Sequence, residues 1–270
     1  MLVNTIKSEW IKLRSTKAVY WTTALIVFFS LGFSALIASA NGSVYQSAVN
    51  DNDAELAAQN LSGLTVTSMV GGIQSFGLMI ILIQAVLVVT GEYGNGTAKP
   101  NVLAAPKRWQ LPVAKWIVYG VIAAVIAVVT TIASIFFGKW LAGMQIDDTS
   151  VLDDLSMSAD GAWTVVLRMA LYAIFAVALA IGVSYLVRRT AGAMALVLLW
   201  VLVLEGVPSM IPKISDWLPQ YMPFANIDSA VTLSEVDGAP WGEIGSVVYF
   251  AAICVVLFIA GVVALRRRDA

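Results

Sequence analysis

WIVYGVIAAVIAVVTTIASIFF, residues 116–137, is a run of 22 residues without a charge. A helix rises about 1.5 Å per residue, so the run is about 33 Å long, enough to cross a hydrocarbon core roughly 30 Å thick. It lacks the dyad alternation of a barrel strand. In lipid every backbone N–H and C=O must find its partner within the chain, which leaves the α-helix as the reading. Five further runs have the same character: Ala18 to Ser39, Met69 to Val89, Trp163 to Val187, Ala191 to Val207 and Ile244 to Leu265. The expected fold is therefore an all-α integral membrane protein, a single transmembrane domain over residues 1–270 with six spans. The fifth run is the shortest and ends in a proline-rich stretch, which leaves its boundary the least defined.

Composition agrees: 59% of the chain is apolar and 12% charged, against roughly 45–50% and about 25% in soluble domains. The remaining loops are too short to hold a separate soluble catalytic domain. The single Cys254 excludes an intrachain disulfide framework, and the absence of His removes the commonest metal ligand and near-neutral proton shuttle. No metal site is expected.

Lys and Arg are retained on the cytoplasmic side of a membrane. With an inside N-terminus, 13 of the 16 basic residues fall in cytoplasmic segments, at positions 7–17, 99–115, 188–189 and 266–268. Only Glu9, Glu92 and Asp269 are acidic there, while 13 of the 17 acids lie in the outer segments. Six spans, both termini cytoplasmic and a multi-pass location in the cytoplasmic membrane satisfy this pattern; one span more or fewer would put a basic loop outside. Ala38-Ser39-Ala40 resembles a signal cleavage site, but the preceding apolar run exceeds the roughly 7–15 residues of a signal peptide.

Residues 1–17 place Leu2, Val3, Ile6, Trp10 and Leu13 on one helical stripe, the pattern of an interfacial helix leading into a span, with its basic side on anionic lipid head groups. An ordinary positive flank is the plainer reading. The longest cytoplasmic connection, GEYGNGTAKPNVLAAPKRWQLPVAK at 91–115, holds turn signals at Gly94-Asn95-Gly96, a candidate cap at Thr97, a short helix-sized piece and a basic-aromatic group after Pro106. It either receives a soluble partner or anchors itself to head groups. The stretch VPSMIPKISDWLPQYMPFAN at 207–226 carries four prolines among aromatics, which break regular helix near an interface. Two charges lie within spans, Arg168 and Glu205. Either alone costs about 3 kcal/mol in the bilayer, and their similar depth suggests that they pair. Gln74 and Gln84 in the second span are further buried polar candidates, for interhelical hydrogen bonds or for substrate.

SEWIKLRSTKAVYW at 8–21, GEYGNGT at 91–97 with APKRWQLPVAK at 105–115, and VLEGV followed by WLP at 217–219 together resemble the permease subunits of ABC-2-type transporters, especially short six-span actinobacterial ones. The resemblance covers nearly the whole chain in layout. It implies an export subunit that pairs with a second permease, the same chain or a related one, and with a cytoplasmic P-loop ATPase that binds ATP and Mg; this chain would bind no cofactor. It further implies an elbow helix at the N-terminus and a cytoplasmic coupling helix whose region begins with Glu92, Tyr93, Gly96 and Thr97 and ends with Pro106, Arg108 and Lys115. Short re-entrant helices between spans 5 and 6 would cap the outer end. Pro100 stands where a plain helical residue is expected; it would shorten the coupling helix or open its first turn. No GxxxxGK[ST] occurs, so ATP hydrolysis would belong to the partner and the chain would not itself be an enzyme.

The rivals are an ion-coupled secondary transporter, which wants acids near mid-bilayer, and a structural or sensory membrane protein. A membrane-embedded enzyme lacks a nucleophile–base grouping. Membrane lipid is an expected partner and nucleic acid is not. The few internal polar groups fit a hydrophobic or amphipathic cargo.

Overall fold

The computed structural model describes residues 2–104 and 107–267, and within these it is all-helical, without strands. A short helix α1, Leu2–Ser15, precedes the first long helix. Six helices are long and apolar enough to cross a membrane: α2, Lys17–Asn50; α4, Val66–Gly94; α6, Gln110–Gly143; α7, Ala162–Val187; α8, Thr190–Met210; and α10, Glu243–Arg267. Between them lie three shorter helices, α3 at Ala54–Ser62, α5 at Ala98–Ala104 and α9 at Pro223–Val231. Each expected apolar run lies within one of the six, but α2 and α6 run well past theirs. An apolar run bounds what hydrocarbon can cover, and a helix need not stop at that boundary.

α7 is the centre. In its apolar window 72% of residues are buried, against 11% in α8 and 22% in α2 and α10. Its sequence explains why: Ala173, Ala176, Ala178 and Ala180 are fully buried, and small residues let helices approach closely where no hydrophobic force distinguishes lipid from side chain. The tightest approach is to α10. A Cβ on Gly182 would stand 2.8 Å from Phe258 Cα, and one on Gly261 would stand 2.8 Å from Gly182 Cα. Polar ties fix other crossings: Trp116 of α6 donates from its indole to Ile174 O of α7 at 3.0 Å, Tyr119 of α6 from its hydroxyl to Ile81 O of α4 at 3.3 Å, and Ser34 of α2 from its hydroxyl to Ser134 O of α6 at 2.7 Å.

The loops sort to two ends. At one end, Arg108 donates to Arg266 O, and Arg188 lies over the Tyr93 ring and donates to Ala264 O, so Arg108, the end of α4, the turn between α7 and α8 and the end of α10 meet there. At the other, Gln46 bonds Asp147 at 3.0 Å, Val66 N bonds Asp154 O, and Gln74 bonds Asp228. The first is the basic end and the second the acidic end.

Two helices depart from α geometry. α4 carries a π-helical turn at Ile73–Gly77 and α8 one at Trp200–Leu204. Each inserts an extra residue into the helical repeat and turns the following side chains to a new azimuth. Next to the first, Gly72 lies so close to α2 that a Cβ would meet Ser30 O at 2.8 Å.

Candidate functional site

At the basic end the chain assembles four charges from three elements. Glu9 and Lys12, three residues apart on α1, share one face and meet Glu92 from the end of α4 and Lys115 from the start of α6. Lys115 Nζ lies 2.8 Å from Glu9 Oε2 and 2.8 Å from Glu92 Oε1, and it donates to Val88 O at 3.2 Å. An ammonium has three N–H groups, and all three are satisfied. Lys12 Nζ lies 2.7 Å from Glu9 Oε1 and 3.0 Å from Glu92 Oε1. The cluster is neutral in sum. Lys115 and Glu9 are almost entirely buried, at 1% and 2% exposure, while Lys12 keeps 40%. Burial works against the charge on Lys12, yet Glu9 and Glu92 outweigh it and hold its pKa above the ordinary lysine value.

Glu92 serves as a joint. Its carboxylate binds the lysines of α1 and α6, and its backbone carbonyl accepts from Thr97 N at 2.8 Å and from the Thr97 hydroxyl at 3.3 Å. Gly96 turns the chain at φ 69°, in the left-handed region that favours glycine, and α5 starts two residues on. The Thr97 hydroxyl thus points back to α4 rather than capping α5. Pro100 sits in the first turn of α5, where its missing N–H is tolerated; it opens the helix. α5 is therefore pinned to α4 by the same residue that ties α4 to α1 and α6.

The other expected residues of this region are dispersed. The Tyr93 ring stacks 5.5 Å below the Arg188 guanidinium. Arg108 reaches Arg266 O on α10 at 3.4 Å. Pro106 lies outside the described residues. Next to the cluster is a cavity of about 540 Å³ with Glu9, Lys12, Gln84, Glu92, Asn101 and Lys115 among its walls. Gln84 is 3% exposed and its side-chain oxygen has no hydrogen-bond partner among the described residues.

At the acidic end the expected Arg168–Glu205 pair does not form. Arg168 pairs with Glu243 and donates to Ala230 O. The glycine crossing brings α10 against α7, so the first residue of α10 comes to Arg168. Glu205 follows the π turn of α8 and faces α9 instead, accepting from Trp200 Nε1 of its own helix at 2.8 Å and from Ala225 N of α9 at 3.0 Å. A carboxylate on the free N–H groups of a helix start is favourable.

Sequence reasoning missed Glu9, Lys12 and Glu243 as partners. A signal existed for the first: Glu9 and Glu92 are two of only three acids on the basic side of the chain. No curated protein matches the chain. A family profile described as ABC-2 family transporter protein matches residues 5–204, from α1 through the π turn of α8. That is well over half of the sequence, and with six helices fit to span a membrane, the chain belongs to the ABC-2 transporter family as a membrane component of transport.

Proposed function

We propose that the chain is the permease subunit of an ATP-driven exporter, with its basic end in the cytoplasm and α5 as the seat of a separate P-loop ATPase. The observation that carries this is the pinning of α5 through Glu92. A short helix tied through one residue to three membrane-facing elements passes a push on to the bundle, whereas a free loop would absorb it. α5 also holds Leu103 out at 73% exposure among the described residues, an apolar side chain at a charged end, as a docking knob would be. α1 turns Glu9 and Leu13 inward and leaves Val3, Trp10 and Ile11 outside, which supports an interfacial elbow whose apolar residues meet lipid. The basic residues at this end support the orientation. ATP and Mg are held by the partner. A second permease, another copy or a related chain, covers the exposed flank of α8, where Leu196, Leu199 and Leu204 project. Exposure of a central path to the two sides in turn then moves the cargo across the cytoplasmic membrane.

The test is a photo-crosslinking amino acid at position 103 in membranes of the native host. The expected product is an adduct with a soluble protein that carries a P-loop, absent when the label replaces Trp163 at the other end. No adduct at 103, with the chain normally expressed, contradicts the seat.

A further inference from the structure

Toward the acidic end a second cavity, of about 450 Å³, opens between α4, α7, α8 and α9. This is within the roughly 300–1,000 Å³ of small-molecule sites. Both π turns border it: Gln74 and Ser75 come from the one in α4, Val201 and Leu202 from the one in α8. π turns are rare and concentrate at functional sites because they re-aim side chains at a cost in regular geometry. Here two of them, from helices far apart in sequence, re-aim toward the same space.

The remaining wall includes Tyr172 of α7 and Asp228 of α9. Asp228 supplies the only charge among the described lining residues, and its immediate company is neutral. Gln74 Nε2 donates to its carboxylate at 3.4 Å and to its backbone oxygen at 3.2 Å, and the Tyr172 hydroxyl is within its reach. No base pairs with it among the described residues. Arg168 of α7, one turn from Tyr172, is spent on Glu243 and Ala230 O. Glu205, held by Trp200 and Ala225, adds further negative potential from α8. Burial pushes the Asp228 carboxyl up to about 7, the response of an acid that lacks a counter-charge.

We propose that this cavity binds an amphipathic organic cation, with the Asp228 carboxylate as counter-charge, Gln74 as a second polar contact, and Met79, Val201 and Leu202 against the apolar part. An inorganic cation fits less well. It would want several oxygen ligands, and no group of three or more metal-capable side chains exists among the described residues. An anion is opposed by both acids, and a neutral apolar ligand would leave the carboxylate unpaired. As a statement about cargo this rests on the permease reading; as a statement about binding it does not. Asp228 lies beyond the residues that match the family.

The test uses tetraphenylphosphonium and tetraphenylborate, ions of nearly the same shape and opposite charge. Displaceable binding of each is measured on the full chain in nanodiscs, with the partners it retains from its native membrane and without nucleotide. The expected result is saturable phosphonium binding, with borate at least about tenfold weaker, which is about 1.4 kcal/mol. Asp228→Asn should lose about tenfold in phosphonium affinity, and Asp148→Asn, an exposed acid at the same end, should lose nothing. Equal binding of the two ions, unaltered binding by Asp228→Asn, or complete displacement by sodium would each overturn the proposal. The ion comparison needs only the unaltered chain, so it decides even if the Asn variant does not fold. No step requires ATP, so its failure is separate from failure of the ATPase capture at position 103.

Discussion

Lys115 shows how much one side chain can hold when three acceptors converge on it. Removing its charge leaves Glu9 and Glu92 with Lys12 alone between them, one cation for two acids at a buried site, and breaking a buried pair in this way costs about 3–5 kcal/mol. Lys115→Met is therefore expected to lower the unfolding midpoint in detergent sharply. Lys12→Met, on a side chain 40% exposed, should cost only about 0–1 kcal/mol. Equal losses in the two variants would mean that the cluster is not buried as described. Asp228 offers a pH test. Its pKa is raised by burial from 3.8 to about 7, so between those values the folded chain binds more protons than the unfolded one, and stability falls as pH rises. The unfolding midpoint should decline from about pH 4 to pH 7 and then level, and Asp228→Asn should remove that decline; a variant that keeps the wild-type slope would clear Asp228 of it. At this scale the sequence was half legible. Glu9 and Glu92 could be counted among the few acids on the basic side, but Glu9 was given no role, because the convergence of both on Lys115 depends on how α1 folds back over α6. Arg168 was read by depth alone, and depth leaves the azimuth around a helix undetermined, so its partner was missed.

The long helices were legible because lipid leaves the backbone no other solution. Their contacts were less so. The closest crossing, α7 on α10, rests on Gly182 and Gly261, which are only two of 20 glycines in the chain. Here a Cβ would run into backbone, which cannot rotate away, so Gly182→Leu should abolish stable expression and Gly182→Ala should cost about 1–3 kcal/mol of overpacking. Gly32, with nothing within 4 Å of its added Cβ, is the control: Gly32→Ala should be neutral or slightly stabilising, in line with helix propensity. Thermal unfolding of the three variants in detergent decides this, and a well-tolerated Gly182→Leu would refute the crossing. The π turns had no signature in the sequence. IQSFG and WVLVL read as ordinary spans, because the extra residue is set by what the neighbouring helices demand. The cavity they border was therefore invisible, and Asp228 looked like one more outer acid.

Across the whole molecule, chemistry divides between two ends of one bundle. The basic end has a four-charge cluster, a pinned short helix and an exposed Leu103; the acidic end has a cavity with a carboxylate that no base pairs among the described residues. α4 joins them, with Glu92 at one end and the π turn with Gln74 near the other, so a displacement of α5 has a continuous path to the cavity along a single helix. The number of spans and the identity of the loop that bears α5 could be read from hydropathy and charge, since both follow from the solvent. The joint at Glu92 could not, because it needs the folded positions of α1 and α6. The central claim is that this bundle is driven from outside itself through α5. The most direct measurement is mild detergent purification of the tagged chain from its native host, with mass spectrometry of stoichiometric companions. A soluble P-loop ATPase should be recovered with the intact chain and lost on deletion of residues 97–110. Recovery of the chain without any ATPase, together with flux in vesicles driven by an ion gradient alone, would contradict the account.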